Sequence, residues 1–457
     1  MNYTINKIDM YILSFISIIW GGAILFSTIL DSQDFILSLS IVVSIFIFLS
    51  GAYFKKESIF RLKYIYVFGF SLFICGRFFA YLIDPSINIF LFDFGLFYEY
   101  DSSSYLEKIR LYNFIFLAFL FYVAGLSVEK KCKPVLVKNN NKDVHKKRFL
   151  LFFMVAILLF IFLLKNNFES VLKSISDGYL SLYESQGRNT YETPINLIVN
   201  AMVVSLMAIF YIIRTKNNKF KLLFLCFITI QLMTIFTGAR GGFVSSFFMI
   251  LWFFLKDRPV TFRMIFLLVI FILSLIFLVN FLLYFTSRSA EEGNIIEIVA
   301  SNLSNQGVSL MVFDLSTKID GYPMLGLIKT FIPGSHLLFN FFVSDLAIHE
   351  VSFPHYITFI SAPTLYYQGY GYGWSLLSDF YVFSFSMLPI FLLFNFIWGR
   401  VISTLDNNVS NSYLEGMTLI FITHIFMISR SSISTLIAGV LIYSLIYLFT
   451  FKIKVFK

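Results

Sequence analysis

Charged residues are scarce in this chain. They make up 13% of its 457 residues, whereas 58% are hydrophobic and the mean hydropathy is +0.81. This balance excludes a soluble globular domain, whose surface needs more charge, and indicates a polytopic membrane protein. The net charge of +9 comes mostly from loops that we expect to face the cytoplasm, so it does not indicate nucleic-acid binding.

Cysteines and recognisable catalytic motifs are also few. Of the three cysteines, Cys75 and Cys226 lie in apolar runs and Cys132 lies in a basic loop, which favours neither a disulfide framework nor a metal cluster. There is no P-loop, which argues against nucleotide hydrolysis, and no Asp-x-Asp pair placed for a metal-dependent transferase. The first apolar run is long and has no small-residue cleavage site, so we expect a retained span rather than a signal peptide.

Long apolar runs are abundant. A membrane span needs ~20 residues, and runs of roughly that length cover residues 9–30, 35–54, 64–83, 111–127, 149–165, 195–213, 222–237, 242–255, 264–285, 376–398, 414–429 and 432–451. They predict an all-α, polytopic transmembrane helical bundle of about 12 spans. Residues 1–457 then form a single integral membrane domain.

The lysines and arginines orient these spans. With the N-terminus in the cytoplasm, about 24 of the 35 basic residues fall in cytoplasmic loops and tails, as the positive-inside rule requires. Both termini are then cytoplasmic, and one long extracytoplasmic segment, residues 287–374, lies between spans 9 and 10. Apolar residues recur at helical spacing over residues 295–315, so we expect this stretch to lie on the membrane or to pack on the bundle.

A hairpin near the middle of the chain carries three glycines and one arginine. It reads Thr237-Gly238-Ala239-Arg240-Gly241-Gly242 and stands between two short apolar runs. Its glycines, Gly238, Gly241 and Gly242, allow a tight turn and the close approach of a ligand. An arginine next to hydrocarbon costs about 2.5–3.5 kcal/mol on insertion scales. We therefore expect that Arg240 either binds a partner or has a function. The alternative is that its side chain extends to the membrane interface by snorkelling.

Other arginines share the predicted outer side. Arg77 lies in the third span, Arg288 begins the long outer segment, and Arg430 stands at the turn between the last two spans. Because the positive-inside rule disfavours arginine there, an anionic partner at the outer leaflet is an economical explanation. Arginine binds phosphate through paired hydrogen bonds and keeps its charge when desolvated, which suits a lipid-linked diphosphate. The alternative is that each arginine pairs with an acid of the same chain.

The candidates for a general base are less distinctive. Asp379 lies at the predicted outer end of the tenth span, where it suits a general base, an arginine partner or a helix N-terminal acid favoured by the dipole. His336 and His355 lie in the long outer segment, at spacings that fit no common metal motif, and either one suits a surface or packed position as well. We interpret His424, within the eleventh span, as a hydrogen-bonding residue between helices.

The chain resembles the O-antigen or oligosaccharide repeat-unit polymerases of the Wzy type. The matching features are about 12 spans, the Gly-Ala-Arg-Gly-Gly hairpin, the long outer segment, and the turn Ser429-Arg430-Ser431-Ser432. A glycine-rich stretch also leads through Ser375 and Asp379 to Tyr381. Asp379 is a departure, because Glu is more common at that place in the family.

The resemblance implies a metal-independent membrane glycosyltransferase without a cofactor, in the bacterial plasma membrane, with its active face outside. A growing glycan on undecaprenyl diphosphate would pass to the non-reducing end of another lipid-linked repeat unit, in the synthesis of O-antigen, capsule or exopolysaccharide. The diphosphate would be bound by Arg240 and Arg430, with support from Arg77 and Arg288. The hydroxyl proton would be accepted by Asp379, His336 or His355. Besides membrane lipid, a flippase and a chain-length regulator are the expected partners.

Two other functions remain as alternatives. An O-antigen ligase shares the architecture, but its outer loop carries a histidine and glycines followed by an acid. In this chain His355 is followed by Gly369, Gly371 and Gly373 without that acid. A flippase or transporter of lipid-linked sugar would have charges at mid-membrane and paired broken helices. This chain instead concentrates its charges outside and has no visible internal repeat.

Overall fold

The structure is a computed structural model that is built mainly of long helices. It describes residues 3–5, 7–29, 33–93, 99–101, 104–130, 146–178, 195–213, 218–237, 240–264, 266, 270, 294–332, 334, 335, 339, 346–407 and 411–451. The α-helices in chain order are α1 (Lys7–Ser27), α2 (Gln33–Phe54), α3 (Leu62–Phe73), α4 (Gly76–Ile83), α5 (Tyr105–Ser127), α6 (Lys146–Asp177), α7 (Ile195–Ile212), α8 (Asn218–Met233), α9 (Arg240–Leu255), α10 (Ile295–Gln306), α11 (Ser309–Lys318), α12 (Met324–Phe331), α13 (Phe353–Ser361), α14 (Pro363–Tyr367), α15 (Leu376–Phe383), α16 (Leu388–Asp406), α17 (Ser412–His424) and α18 (Ser434–Phe451).

Short elements complete the described part of the chain. The 3₁₀ helices are Thr234–Thr237, Ile348–Glu350 and Met427–Arg430. The strands are β1 (Tyr3–Ile5), β2 (Leu91–Asp93), β3 (Glu99–Asp101) and β4 (Val128–Lys130). They form two antiparallel pairs, β1 with β4 and β2 with β3, each of three residues. Such small ribbons tie loop ends together and add little to the core.

Eight helices in the described residues are long and apolar enough to cross a membrane: α1, α2, α5, α6, α7, α16, α18, and α8 together with the 3₁₀ turn that follows it. The pair α3 and α4 makes a ninth if it counts as one bent span. The predicted all-α membrane bundle is confirmed, whereas the predicted number of about 12 spans is not. The predicted span at residues 264–285 lies almost entirely outside the described residues.

Two predicted spans are broken in the structure. The run 376–398 forms α15 and α16, separated by a turn in which Phe385 and Ser386 adopt φ of 51° and 63°. Pro389 explains the break, because a proline inside a helix has no N–H to donate and clashes with the carbonyl four residues earlier. The run 64–83 is bent by 60° between α3 and α4. Neither the break between α15 and α16 nor the bend between α3 and α4 can be predicted from apolar composition alone.

Glycines allow a close helix crossing in the core, between α5 and α16. A Cβ built on Gly125 would lie 2.1 Å from the carbonyl oxygen of Phe396, and one on Gly399 would lie 2.2 Å from that of Tyr122. Small residues at such a crossing let two backbones approach, which is how helices associate when lipid supplies no hydrophobic driving force.

The described part of residues 287–374, the segment predicted to be extracytoplasmic, packs on the bundle. The stretch predicted to be helical over residues 295–315 forms α10 and α11, so that prediction is confirmed, with a break at Gly307. Helix α10 lies against α4. Helix α11 reaches into the bundle, where Phe313 contacts Phe114, Tyr381 and Phe391 at ring-centroid distances of 6.0, 6.4 and 6.0 Å.

Candidate functional site

Two arginine-bearing turns adjoin each other in the bundle. The first is the N-terminal turn of α9, which begins at Arg240 and contains Gly241 and Gly242. The second is the 3₁₀ helix Met427–Arg430 between α17 and α18. A Cβ built on Gly241 would lie 2.6 Å from Cε of Met427, so the two turns are in close contact. The two arginine-bearing turns of the sequence are thus neighbours in the fold.

A cavity of about 370 Å³ lies beside both turns. Gly241 and Gly242 line it from the first turn, and Ser431 lines it from the second. Gly242 leaves room for Gln231, since a Cβ there would lie 2.4 Å from Oε1 of that side chain. The volume falls in the range of about 300–1,000 Å³ that small-molecule sites occupy. The structure therefore provides a ligand-sized space between the two turns.

Arg430 is exposed and is held from two directions. Its Nη1 donates a hydrogen bond to Oε1 of Gln306 at 2.8 Å, and its guanidinium lies 5.7 Å from the centre of the Phe73 ring. A cation over an aromatic face contributes about 0.5–1 kcal/mol at exposed sites. These two contacts orient the guanidinium of Arg430. The side chain of Arg240 lies outside the described residues.

Arg77 is buried and donates to backbone carbonyls. Its Nη2 donates to the oxygens of Asn88 and Leu91, at 3.1 and 2.7 Å, and so braces the loop after α4. Its Cγ would be 2.6 Å from a Cβ on Gly307, which places it beside the end of α10. Gln306, the partner of Arg430, is the last residue of that helix. Arg77 therefore lies close to the Arg430 turn, with its described hydrogen bonds going to the loop.

Asp379 is fully buried in α15, and each of its carboxylate oxygens accepts a hydrogen bond. Oδ1 accepts from Nε1 of Trp374 at 2.7 Å, and Oδ2 accepts from the backbone N–H of Ile433 at 2.6 Å. Trp374 ends the glycine-rich stretch, and Ile433 lies just after Arg430. Asp379 thus joins the glycine-rich stretch to the arginine turn, without lining the cavity.

His355 lies on α13, where it is half-buried and its ring is edge-on to Tyr366, 6.2 Å away between centroids. Phe353 of the same helix stacks on Trp374 at 6.1 Å, so α13 borders the segment that leads into α15. The described residues contain no group of three or more His, Cys, Asp or Glu side chains that could hold a metal ion. The described residues do not include His336, Arg288 or Gly238.

The polar residues of the cavity wall are not among the site residues predicted from the sequence. Asn200 of α7, Gln231 of α8 and His424 of α17 all line the cavity. The imidazole of His424, which was interpreted from the sequence as a hydrogen-bonding group between helices, makes no hydrogen bond with any described residue. A signal was present for all three, because each is polar within an apolar run, where such residues are costly. Which of the many polar residues in these runs share a wall is not visible in the sequence.

The chain matches the family described as O-antigen polysaccharide polymerase Wzy over residues 8–457, which is nearly its whole length. No curated protein and no solved structure matches it. Polymerases of this family are membrane glycosyltransferases that act on lipid-linked oligosaccharide repeat units. The apolar helices are consistent with the family match, and the two together indicate a multi-pass protein of a bacterial membrane. The chain therefore belongs to the O-antigen polysaccharide polymerase Wzy family.

Proposed function

We propose that this polymerase transfers a growing glycan from undecaprenyl diphosphate to the non-reducing sugar of another lipid-linked repeat unit. An acceptor hydroxyl oxygen attacks the anomeric carbon of the donor. The bond from that carbon to the diphosphate oxygen breaks, and undecaprenyl diphosphate leaves with the bonding electron pair. The observation that carries this proposal is the contact between the two arginine-bearing turns beside one cavity.

The arginines supply the positive charge that this reaction needs. Negative charge accumulates on the leaving diphosphate in the transition state, and preplaced guanidiniums stabilise it without reorganisation. Arg240 and Arg430 contact the diphosphate in this proposal, and the reaction needs no metal ion. Arg77 supports the site from the loop that it braces. Arg288 remains a supporting candidate from the sequence.

The acceptor hydroxyl loses its proton in the same step. His336 and His355 are the proposed acceptors of this proton. Asp379 has a different role in the proposal, because it is fully buried, does not line the cavity, and accepts hydrogen bonds from Trp374 and Ile433. It positions the Arg430 turn, and so acts on the diphosphate through another residue.

The proposed reaction takes place on the extracytoplasmic side, with both termini in the cytoplasm. The distribution of lysine and arginine supports this orientation. A flippase would deliver the lipid-linked repeat units to that side, and a chain-length regulator would act on the growing polymer. The product is a surface polysaccharide of the O-antigen, capsule or exopolysaccharide class.

Replacing Arg240 tests the proposal. Arg240→Ala should abolish chain lengthening, so that a gel of surface glycan shows single repeat units only, because the diphosphate loses a bidentate partner. Arg240→Lys should also be impaired, since an ammonium keeps the charge but not the paired hydrogen bonds. Arg258→Ala is the matched control, because Arg258 is an exposed arginine just after the other end of α9.

Long chains in a strain that carries Arg240→Ala at normal membrane levels would remove Arg240 from the mechanism. A deletion strain gives the complementary result. Unpolymerised single units on the cell surface support the polymerase, whereas loss of all surface glycan points to a ligase or a flippase.

A further inference from the structure

The cavity beside the two turns has a polar wall in an otherwise apolar bundle. Its polar side chains come from helices far apart in the sequence, and they are Asn196, Asn200, Gln231, Ser245, Ser246, Thr423, His424, Ser431 and Thr435. Apolar residues such as Phe227 and Met249 form the remainder. Polar residues are rare and costly within membrane-spanning helices, so a wall assembled from so many of them indicates a ligand with hydrogen-bonding groups.

The larger polar side chains of this wall differ in whether they have a hydrogen-bond partner in the described part of the chain. Asn196 accepts a hydrogen bond from Asn166 at 2.8 Å. The amides of Asn200 and Gln231 and the imidazole of His424 make no hydrogen bond with any described residue. All three residues are half-buried, so they are partly shielded from solvent and remain open to the cavity. These three side chains therefore have the capacity to bind a ligand in the cavity.

The chemistry of the wall selects the class of ligand. Among the residues with described side chains, the wall contains no Asp, Glu, Lys or Arg. Amides and an imidazole both donate and accept hydrogen bonds, which matches hydroxyl and acetamido groups. They offer nothing to a prenyl chain, which has no hydrogen-bonding atoms. The wall therefore fits an uncharged sugar, while the arginine turns at its edge suit the adjoining diphosphate.

We infer that this cavity binds an uncharged sugar residue of a lipid-linked glycan, and that Asn200, Gln231 and His424 determine which sugar is accepted. The inference rests on the proposed function, since it places the sugar next to the diphosphate held by Arg240 and Arg430. The sugar site lies within the helical bundle, and three side chains give it its specificity.

Protection from alkylation tests the site directly. Asn200→Cys is made in a background with Cys132→Ser and Cys226→Ser, where the remaining Cys75 is buried. The purified protein in lipid nanodiscs is treated with a small maleimide, with or without lipid-linked repeat unit or undecaprenyl diphosphate. We expect the repeat unit to slow labelling of Asn200→Cys at least severalfold, and undecaprenyl diphosphate to leave the labelling rate unchanged. The background protein without Asn200→Cys corrects for labelling at Cys75.

The outcomes separate the two proposals. Equal protection by undecaprenyl diphosphate, or no protection by either compound, overturns the sugar site. The proposed function is tested separately by polymerisation with the wild-type protein. If Asn200→Cys does not yield folded protein, Gln231→Cys takes its place, because it opens to the same cavity.

A kinetic comparison tests the role in specificity. Asn200→Leu removes the amide while keeping the same branched arrangement of heavy atoms, and should raise the half-saturating concentration of lipid-linked repeat unit roughly tenfold, the effect of about 1.4 kcal/mol from one lost hydrogen bond. Thr229→Val is the matched control, because Thr229 is an exposed polar residue of α8, two positions from Gln231. An unchanged half-saturating concentration in Asn200→Leu would contradict the assignment of this residue.

Discussion

At the residue scale, Asp379 shows how one carboxylate can serve a site that it does not line. Its oxygens accept hydrogen bonds from Trp374 at 2.7 Å and from Ile433 at 2.6 Å. One donor belongs to the glycine-rich stretch and the other to the start of the last helix. The bond from Ile433 ties the segment that carries Arg430 to α15, so the position of that guanidinium depends on Asp379.

Asp379→Asn separates positioning from proton transfer. The amide keeps one acceptor oxygen and places an N–H group against either Trp374 or Ile433, so we expect a loss of about 1–3 kcal/mol in the free energy of unfolding. Polymerisation should fall severalfold while the shape of its pH profile is kept. The free energy of unfolding and the pH profile of polymerisation are measured on purified protein in nanodiscs. Asp257→Asn is the control, because Asp257 is exposed.

The opposite pattern would identify Asp379 as the general base. In that case, the variant would unfold like the wild type, and its activity would lose the acid limb of the pH profile. The two outcomes do not overlap. Loss of a positioning residue changes folding and binding, whereas loss of a general base changes how the polymerisation rate depends on pH.

At the element scale, the crossing of α4 and α10 depends on two glycines. A Cβ on Gly76 would lie 2.6 Å from the carbonyl oxygen of Leu303, and one on Gly307 would lie 2.6 Å from the backbone nitrogen of Arg77. Backbone atoms cannot move aside as the end of a flexible side chain can. The crossing therefore holds the end of α10, and with it Gln306, in place beside the Arg430 turn.

Gly307→Ala should lower the free energy of unfolding by about 1–3 kcal/mol, because overpacking forces backbone shifts. The measurement is chemical or thermal unfolding in lipid nanodiscs. Gly21→Ala is the control, since no atom lies within 4 Å of a Cβ built there and Gly21 is inside α1. That control should leave stability unchanged or raise it by up to ~1 kcal/mol. Equal free energies of unfolding for Gly307→Ala and Gly21→Ala would contradict a tight crossing of α4 and α10.

At the scale of the whole molecule, a charged network joins the ends of three helices. Glu57, in the loop after α2, accepts hydrogen bonds from Arg61 at 3.1 Å and Tyr64 at 3.0 Å and pairs with Lys63 at 2.5 Å. Asp406, at the end of α16, accepts from the N–H groups of Leu62 and Lys63, each at 2.9 Å. The network satisfies the first N–H groups of α3 and fixes α16 against it.

Glu57 should make stability depend on pH. Burial acts to raise the pKa of Glu57, but Lys63, Arg61 and Lys55 outweigh it, so the pKa in the folded protein lies below the ordinary value of 4.5. Such a carboxylate contributes stability that is present above pH 4.5 and is lost as the pH falls through the folded pKa. Glu57→Gln should therefore cost about 1–3 kcal/mol at pH 7 and progressively less below pH 4.5.

Unfolding of the wild type and Glu57→Gln across this pH range measures the effect. Glu169→Gln is the control, because Glu169 pairs with Lys165 on an exposed helix face and such pairs contribute about 0–1 kcal/mol. A difference between the wild type and Glu57→Gln that stays constant from pH 7 to below the folded pKa would contradict the network's role.

Much of the fold could be predicted from local sequence, and the exceptions have local causes too. Apolar runs and the amphipathic stretch at 295–315 predicted helices, because hydropathy and helical spacing are properties of contiguous residues. The run 376–398 was predicted as one span, yet Pro389 and the left-handed Phe385 and Ser386 divide it. The mean hydropathy of such a run depends on its apolar residues. It does not depend on the backbone hydrogen bond that a proline removes.

The sequence by itself determined the membrane class of this protein, its family, and the presence of arginines in turns between apolar helices, since each depends on residues adjacent in the chain. Only the tertiary structure decided that the turns of Arg240 and Arg430 adjoin, that Asp379 links two segments, and that Asn200 and His424 share a wall. Those facts arise from the packing of helices that are distant in sequence, which local composition and spacing do not encode.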